Sequence, residues 1–156
     1  MRKNTVIWIA SGIITAFVAG TSTYVIHSRV GPLVSPSLAK RMNFVAYTPS
    51  HLPDGYHIDR ASVKYDSGFL TYGIDTPLGR IIVTQQHQPA DFKLEELGFQ
   101  GMEDVQQFHI AQGKAATAVL QDRMVVFALT GQTMISMNGP VNLSRESMQI
   151  LASSLR

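Results

Sequence analysis

The chain of 156 residues contains no cysteine. That absence excludes a disulfide scaffold, cysteine-ligated zinc or iron–sulfur sites, thiol catalysis and a lipid-modified N-terminal cysteine. Charge is sparse, at 15% of residues, and Trp8 is the one tryptophan. Several chemical signatures are missing as well. There is no Gly-x-Ser-x-Gly elbow, no glycine-rich phosphate loop, and no His-x-His or His-Glu-x-x-His pair. No internal repeat or low-complexity tract is present. The 45% hydrophobic share is nevertheless ordinary for a globular chain. The length suits one domain with an appendage.

Acidic residues are also missing from residues 1–42, which carry Arg2, Lys3, Arg29, Lys40 and Arg41 and so a charge of +5. Residues 43–156 set eight basic residues against eleven acidic ones, a charge of −3. The pI near 9.0 therefore reflects the flanks of one hydrophobic segment. Nucleic-acid backbones are held by surplus positive charge, and the larger part of this chain has none to offer. No nucleic-acid partner is expected.

The apolar segment is the run 6–26, which holds no charged residue. At about 1.5 Å per helical residue it spans ~31 Å, close to the hydrocarbon thickness of a bilayer. A short basic tip before such a helix places the N-terminus in the cytoplasm and the rest of the chain outside the cytoplasmic membrane. Residues 1–26 thus predict a cytoplasmic tip and a transmembrane signal-anchor helix. Cleavage after Gly20 is the competing reading, because the densest apolar stretch, 6–19, also has the length of a signal-peptide core. Gly12, Ala16 and Gly20 recur at four-residue spacing and form a candidate helix-packing face within the membrane. Residues 27–42, interrupted by Gly31-Pro32 and Ser35-Pro36-Ser37, predict a linker.

Residues 43–156 predict an α+β domain outside the membrane. Residues 44–47 read as an opening strand. Pro53-Asp54-Gly55 then forms a tight turn in which glycine accepts a positive φ. Alternation continues over 57–65, 69–74 and 80–86, with Asp66-Ser67-Gly68 and the run 75–79 as turns. A short helix is expected over 91–97, closed by Gly98. Four further strands are expected at 105–110, 115–121, 124–130 and 133–138, with Gly131 leading a II′ hairpin turn. The chain closes in a helix over about 144–155, capped by Ser144 and carrying Met148, Leu151 and Leu155 on one face. The expected product is an antiparallel sheet of about seven strands packed against a C-terminal helix.

Tyr47-Thr48-Pro49, running into Leu52-Pro53-Asp54-Gly55-Tyr56, resembles the start of an uncharacterised extracytoplasmic domain family. That domain closes many bacterial membrane-anchored proteins, including anti-sigma-factor-like ones. The strand Ile81-Ile82-Val83-Thr84-Gln85 and the closing segment 146–155 resemble the same family. The family is similar to the lipoprotein-carrier superfamily, so the resemblance implies a half-open barrel whose curved antiparallel sheet wraps a helix. Only five residues precede the apolar run. They leave no room for a sigma-binding segment, and direct sigma-factor control is not expected.

Side-chain constellations point to binding rather than catalysis. His57 and Asp59 share a strand face, and Glu95-Glu96 and Glu103-Asp104 pair carboxylates, but these patterns suit solvated surface. Asn142-Leu143-Ser144 matches a glycosylation acceptor and also suits a helix start. Methionine adapts to irregular apolar shapes, so Met134, Met137 and Met148 with Leu151 form a candidate apolar groove for a lipid chain or peptide. Plain core filling is the alternative for these residues, as it is for Met124. Neither catalytic residues, nor metal ligands, nor a cofactor are expected. The expected function is a non-catalytic single-pass membrane protein of a bacterial envelope, with an outer domain that binds or senses. Its expected partners are the membrane and another envelope or membrane protein. A secreted or periplasmic carrier of a lipid or apolar peptide is the first rival, and an envelope hydrolase the second.

Overall fold

Short connections between alternating strands dictate the architecture. In the computed structural model, which describes residues 33–156, seven strands form one sheet. They are β1 (His57–Asp66), β2 (Phe69–Thr76), β3 (Gly79–His87), β4 (Met102–Ile110), β5 (Gly113–Leu120), β6 (Arg123–Leu129) and β7 (Thr133–Pro140). The order is β1-β2-β3-β7-β6-β5-β4, and every pairing is antiparallel. Two meanders are thus joined where β3 meets β7. The sheet is not closed, and β1 and β4 are its edges. Both edges carry a register shift, between Asp59 and Lys64 and between Glu103 and Gln106, a device that discourages further strand pairing.

Turn chemistry sets this register. Ser67 and Gly68 both take positive φ, at 50° and 85°, as a type I′ hairpin demands. Gly131 takes φ 87° and leads the β6–β7 turn as expected. One sheet face then collects Leu70, Tyr72 and Ile74 from β2, Ile81 and Val83 from β3, and Ile135 and Met137 from β7. The C-terminal helix, Arg145–Ser153, lies on this face over β4, β5 and β6 and buries Met148, Leu151 and Ala152. Ser144 caps it, its Oγ accepting from the Ser147 N–H at 3.0 Å.

The expected opening strand at 44–47 does not form. That segment crosses the core face as a strap, bonded to side chains instead of to a neighbouring strand. The Gln85 amide accepts from the Tyr47 N–H at 2.8 Å and donates to the Tyr47 carbonyl, while the Thr133 hydroxyl donates to the Val45 carbonyl at 2.6 Å. Gln85 and Thr133 are fully buried, so these bonds satisfy polar atoms at both partners. Beyond Tyr47 the strap pairs with the C-terminal tail. Thr48 and Arg156 exchange backbone bonds at 3.0 Å, and Ser50 donates to the Ser154 carbonyl at 2.8 Å.

Part of the expected linker is also ordered. Ser35 caps a one-turn helix, α1 (Pro36–Ala39), whose first position tolerates proline because its N–H needs no partner there. Leu33 packs against the main core, and the Tyr65 hydroxyl donates to the Arg41 carbonyl at 3.4 Å. The helix Arg145–Ser153 is accordingly α2.

Residues 88–101 cross the opposite sheet face from β3 to the far edge. Here the expected helix at 91–97 contracts to a single 3-10 turn, Leu94–Leu97, closed by Gly98 at φ 56°. Asp91 at φ 61° breaks the helical path before Leu94, and Lys93 supplies no side-chain cap. Leu94 buries itself against Ala116 and Leu129, with Phe92, Leu97, Phe99, Phe127 and Met134 around it. The expected membrane span and the Gly12, Ala16, Gly20 row lie outside the described residues. Among the described residues, no helix is long and apolar enough to cross a membrane.

Candidate functional site

The methionine cluster divides by strand parity. Met137, Met148 and Leu151 meet in the main core, each 0% exposed, with Met124 close by at 6%. Met134 is an odd number of residues from Met137 on β7, so it points to the other face and joins the Leu94 cluster. The three buried side chains fill the space between sheet and helix as packed core.

Concave surface lies elsewhere. A cleft of about 760 Å³ opens at the rim formed by the ends of β3 and β6 and the β4–β5 turn. Its apolar lining is Phe92, Leu94 and Leu129, and its polar lining includes Gln88, Lys93, Gln112, Lys114 and one carboxylate, Glu95. Gln88 fixes one wall. Its amide accepts from the Gly131 N–H at 3.0 Å and donates to the Phe92 carbonyl at 3.3 Å, and its backbone N–H donates to the Gln132 carbonyl at 2.9 Å. Gly113 fixes another, because a Cβ there would run into the Leu129 carbonyl oxygen. The Gln112 Oε1 is buried and has no hydrogen-bond partner. An acceptor in that state is costly to keep unless something donates to it. An apolar floor rimmed by two lysines, one carboxylate and amide groups, with a net charge of +1, suits a partly apolar ligand with a polar or weakly anionic end.

A second cleft, of about 430 Å³, lies between α2 and the strap and is lined by Ser50, His51, Glu146 and Gln149 among others. Ser50 Oγ lies 2.9 Å from His51 Nδ1, the spacing of a nucleophile and its base. The hydroxyl proton, however, goes to the Ser154 carbonyl at 2.8 Å, so the imidazole nitrogen is left to donate to Oγ. Ser154 Oγ donates in turn to the His51 carbonyl at 3.1 Å. The network ties strap to helix end and leaves the serine unactivated. Ser37, on the exposed α1, and Lys40, its C-cap, stand at Ser-x-x-Lys spacing, but Ser37 Oγ meets Ser35 Oγ at 3.0 Å.

The His57 and Asp59 face is occupied by a guanidinium. Arg80 reaches Asp75 Oδ1 at 2.6 Å and Asp59 Oδ2 at 3.0 Å, lying across Gly73, whose missing side chain makes room for it. His57 Nε2 sits 3.3 Å from Asp75 Oδ2. The hydrogen bond from Arg80 holds the Asp75 carboxyl below the usual carboxylate range. Glu95, Glu96, Glu103 and Asp104 are exposed, and Asp104 reaches Arg145 at 3.6 Å. Among the described residues, no three His, Asp or Glu side chains are grouped to hold a metal ion. The cleft draws its lining from residues scattered over 88–131, and Gln112 reads in the sequence as an ordinary turn residue. No local pattern marks it. No protein-family model, curated protein or solved structure matches the chain.

Proposed function

We propose that the chain is a single-pass membrane protein whose outer α+β domain binds a ligand or partner at the rim cleft and performs no catalysis. The observation that carries the anchoring is the uncharged 6–26 run behind Arg2 and Lys3. Support for a binding role comes from the cleft, with its lysines and the unpaired Gln112 oxygen. The resemblance of 47–56 to the half-open-barrel domains of bacterial membrane-anchored proteins points the same way. Within this reading the groove between helix and sheet is closed core, and ligand goes to the rim.

The test is fractionation of the intact chain. It should stay with membranes through an alkaline carbonate wash and keep its first residues. A soluble product beginning at Thr21 would replace this reading with that of a released carrier.

A further inference from the structure

The rims of the sheet differ in charge. One rim gathers the ends of β1, β3, β4 and β6 and the starts of β2, β5 and β7. Lys64 lies near the end of β1, Lys114 at the start of β5, and Lys93 beside Lys114 in the cleft. Lys40 and Arg41 join them, because Tyr65 at the end of β1 holds the Arg41 carbonyl. These are all four lysines of the described residues, and among those residues neither they nor Arg41 form an ion pair. Asp66, Asp91, Glu95 and Glu96 are the carboxylates of the segments that border this rim. The opposite rim carries Asp54, Asp75, Glu103, Asp104, Asp122 and Glu146. Its arginines are committed locally, Arg80 to Asp59 and Asp75, Arg123 to Asn138, and Arg145 to Asp104.

The length of the tether limits how far the domain can lie from an anchoring membrane. Six residues, 27–32, separate the apolar run from Leu33. Fully extended they reach ~22 Å, less than the ~33 Å length of a ten-residue strand such as β1. An anchor in 6–26 therefore keeps the domain close to the bilayer, and α1, early in the described chain, is followed by Arg41 beside the lysine rim. We infer that the rim bearing Lys40, Arg41, Lys64, Lys93 and Lys114 docks on the anionic phospholipid headgroups of the membrane that anchors the chain, with the acidic rim turned outward. The inference rests on the proposed anchoring. Its chemistry is that of juxtamembrane basic clusters, which are drawn to a negatively charged leaflet within a Debye length of its surface.

A chain without cysteine permits a direct test. Single Gln132→Cys and Leu78→Cys variants of the full chain place one dye on each rim. Energy transfer to headgroup-labelled lipid is then read in nanodiscs. With about a quarter phosphatidylglycerol in phosphatidylcholine, transfer from position 132 should exceed that from position 78 severalfold. The difference should shrink in pure phosphatidylcholine, at ~1 M salt, and on combining Lys40→Gln, Lys64→Gln, Lys93→Gln and Lys114→Gln. Equal transfer from both rims in anionic discs would overturn the docking, as would an asymmetry indifferent to lipid charge and salt. A chain that does not enter the discs at all would overturn the anchoring beneath it.

Discussion

Gln85 supports the strap from below. Its amide serves both backbone groups of Tyr47, whose carbonyl also accepts from the Tyr72 hydroxyl at 3.4 Å, all away from water. Gln85→Leu keeps the volume and removes every partner, so it should cost about 2–4 kcal/mol from the polar groups left unpaired. Urea unfolding followed by circular dichroism would measure it. Tyr72 adds a pH dependence. Burial pushes its phenol above the ordinary tyrosine value, so the folded state keeps a proton that the unfolded chain gives up near pH 10. Stability is full below that pH and falls as pH rises beyond it. Tyr72→Phe should flatten the decline between about pH 9 and 11, seen as a smaller drop in the urea midpoint. Gly55 sits at φ 78°, and a side chain there would also press on Pro77, 3.0 Å from the added Cβ. Gly55→Val should therefore cost at least ~1 kcal/mol in the same assay.

Helix α2 is held by three buried side chains, Met148, Leu151 and Leu155, the last just past its final turn. Truncating Met148 or Leu151 to alanine should cost about 2–5 kcal/mol each in thermal or chemical unfolding, since both are fully enclosed. This element was legible in the sequence, down to its Ser144 cap, because a serine stands just ahead of an i, i+3, i+7 apolar row. The hairpins were legible too, since Ser67-Gly68 and Gly131 carry turn chemistry that few other structures use. The strap was not. An apolar run such as 44–47 reads the same whether its backbone bonds go to a strand or to buried glutamine and threonine side chains. Edge strand β4 hid its first three residues for a related reason. Exposed on both faces and bulged at Glu103–Gln106, it has no alternation to display there. The split between Met134 and Met137 was open to a parity argument on the expected 133–138 strand, yet the expected groove grouped the two, and the structure separates them.

At the scale of the whole molecule, the charge asymmetry escapes the sequence because its members recur one or two strands apart and only the sheet brings them to one rim. The contacts that complete the domain are equally remote. The Ser50 hydroxyl reaches a carbonyl 104 residues away and Val45 a hydroxyl 88 residues away. Deleting 154–156 removes the strap's backbone partners together with the buried Leu155. The shortened chain should unfold at least ~3 kcal/mol more easily, and limited proteolysis should cut it first within 44–56. The same arrangement imposes a schedule on synthesis. With translation at roughly 5–20 residues per second, the strap waits ~5–20 s for its partners to be made. Throughout that interval β2, β3 and their apolar faces exist with nothing laid over them. Until residues 154–156 have been made, the strap lacks its backbone partners and the core lacks Leu155, so the domain can close only after they are added.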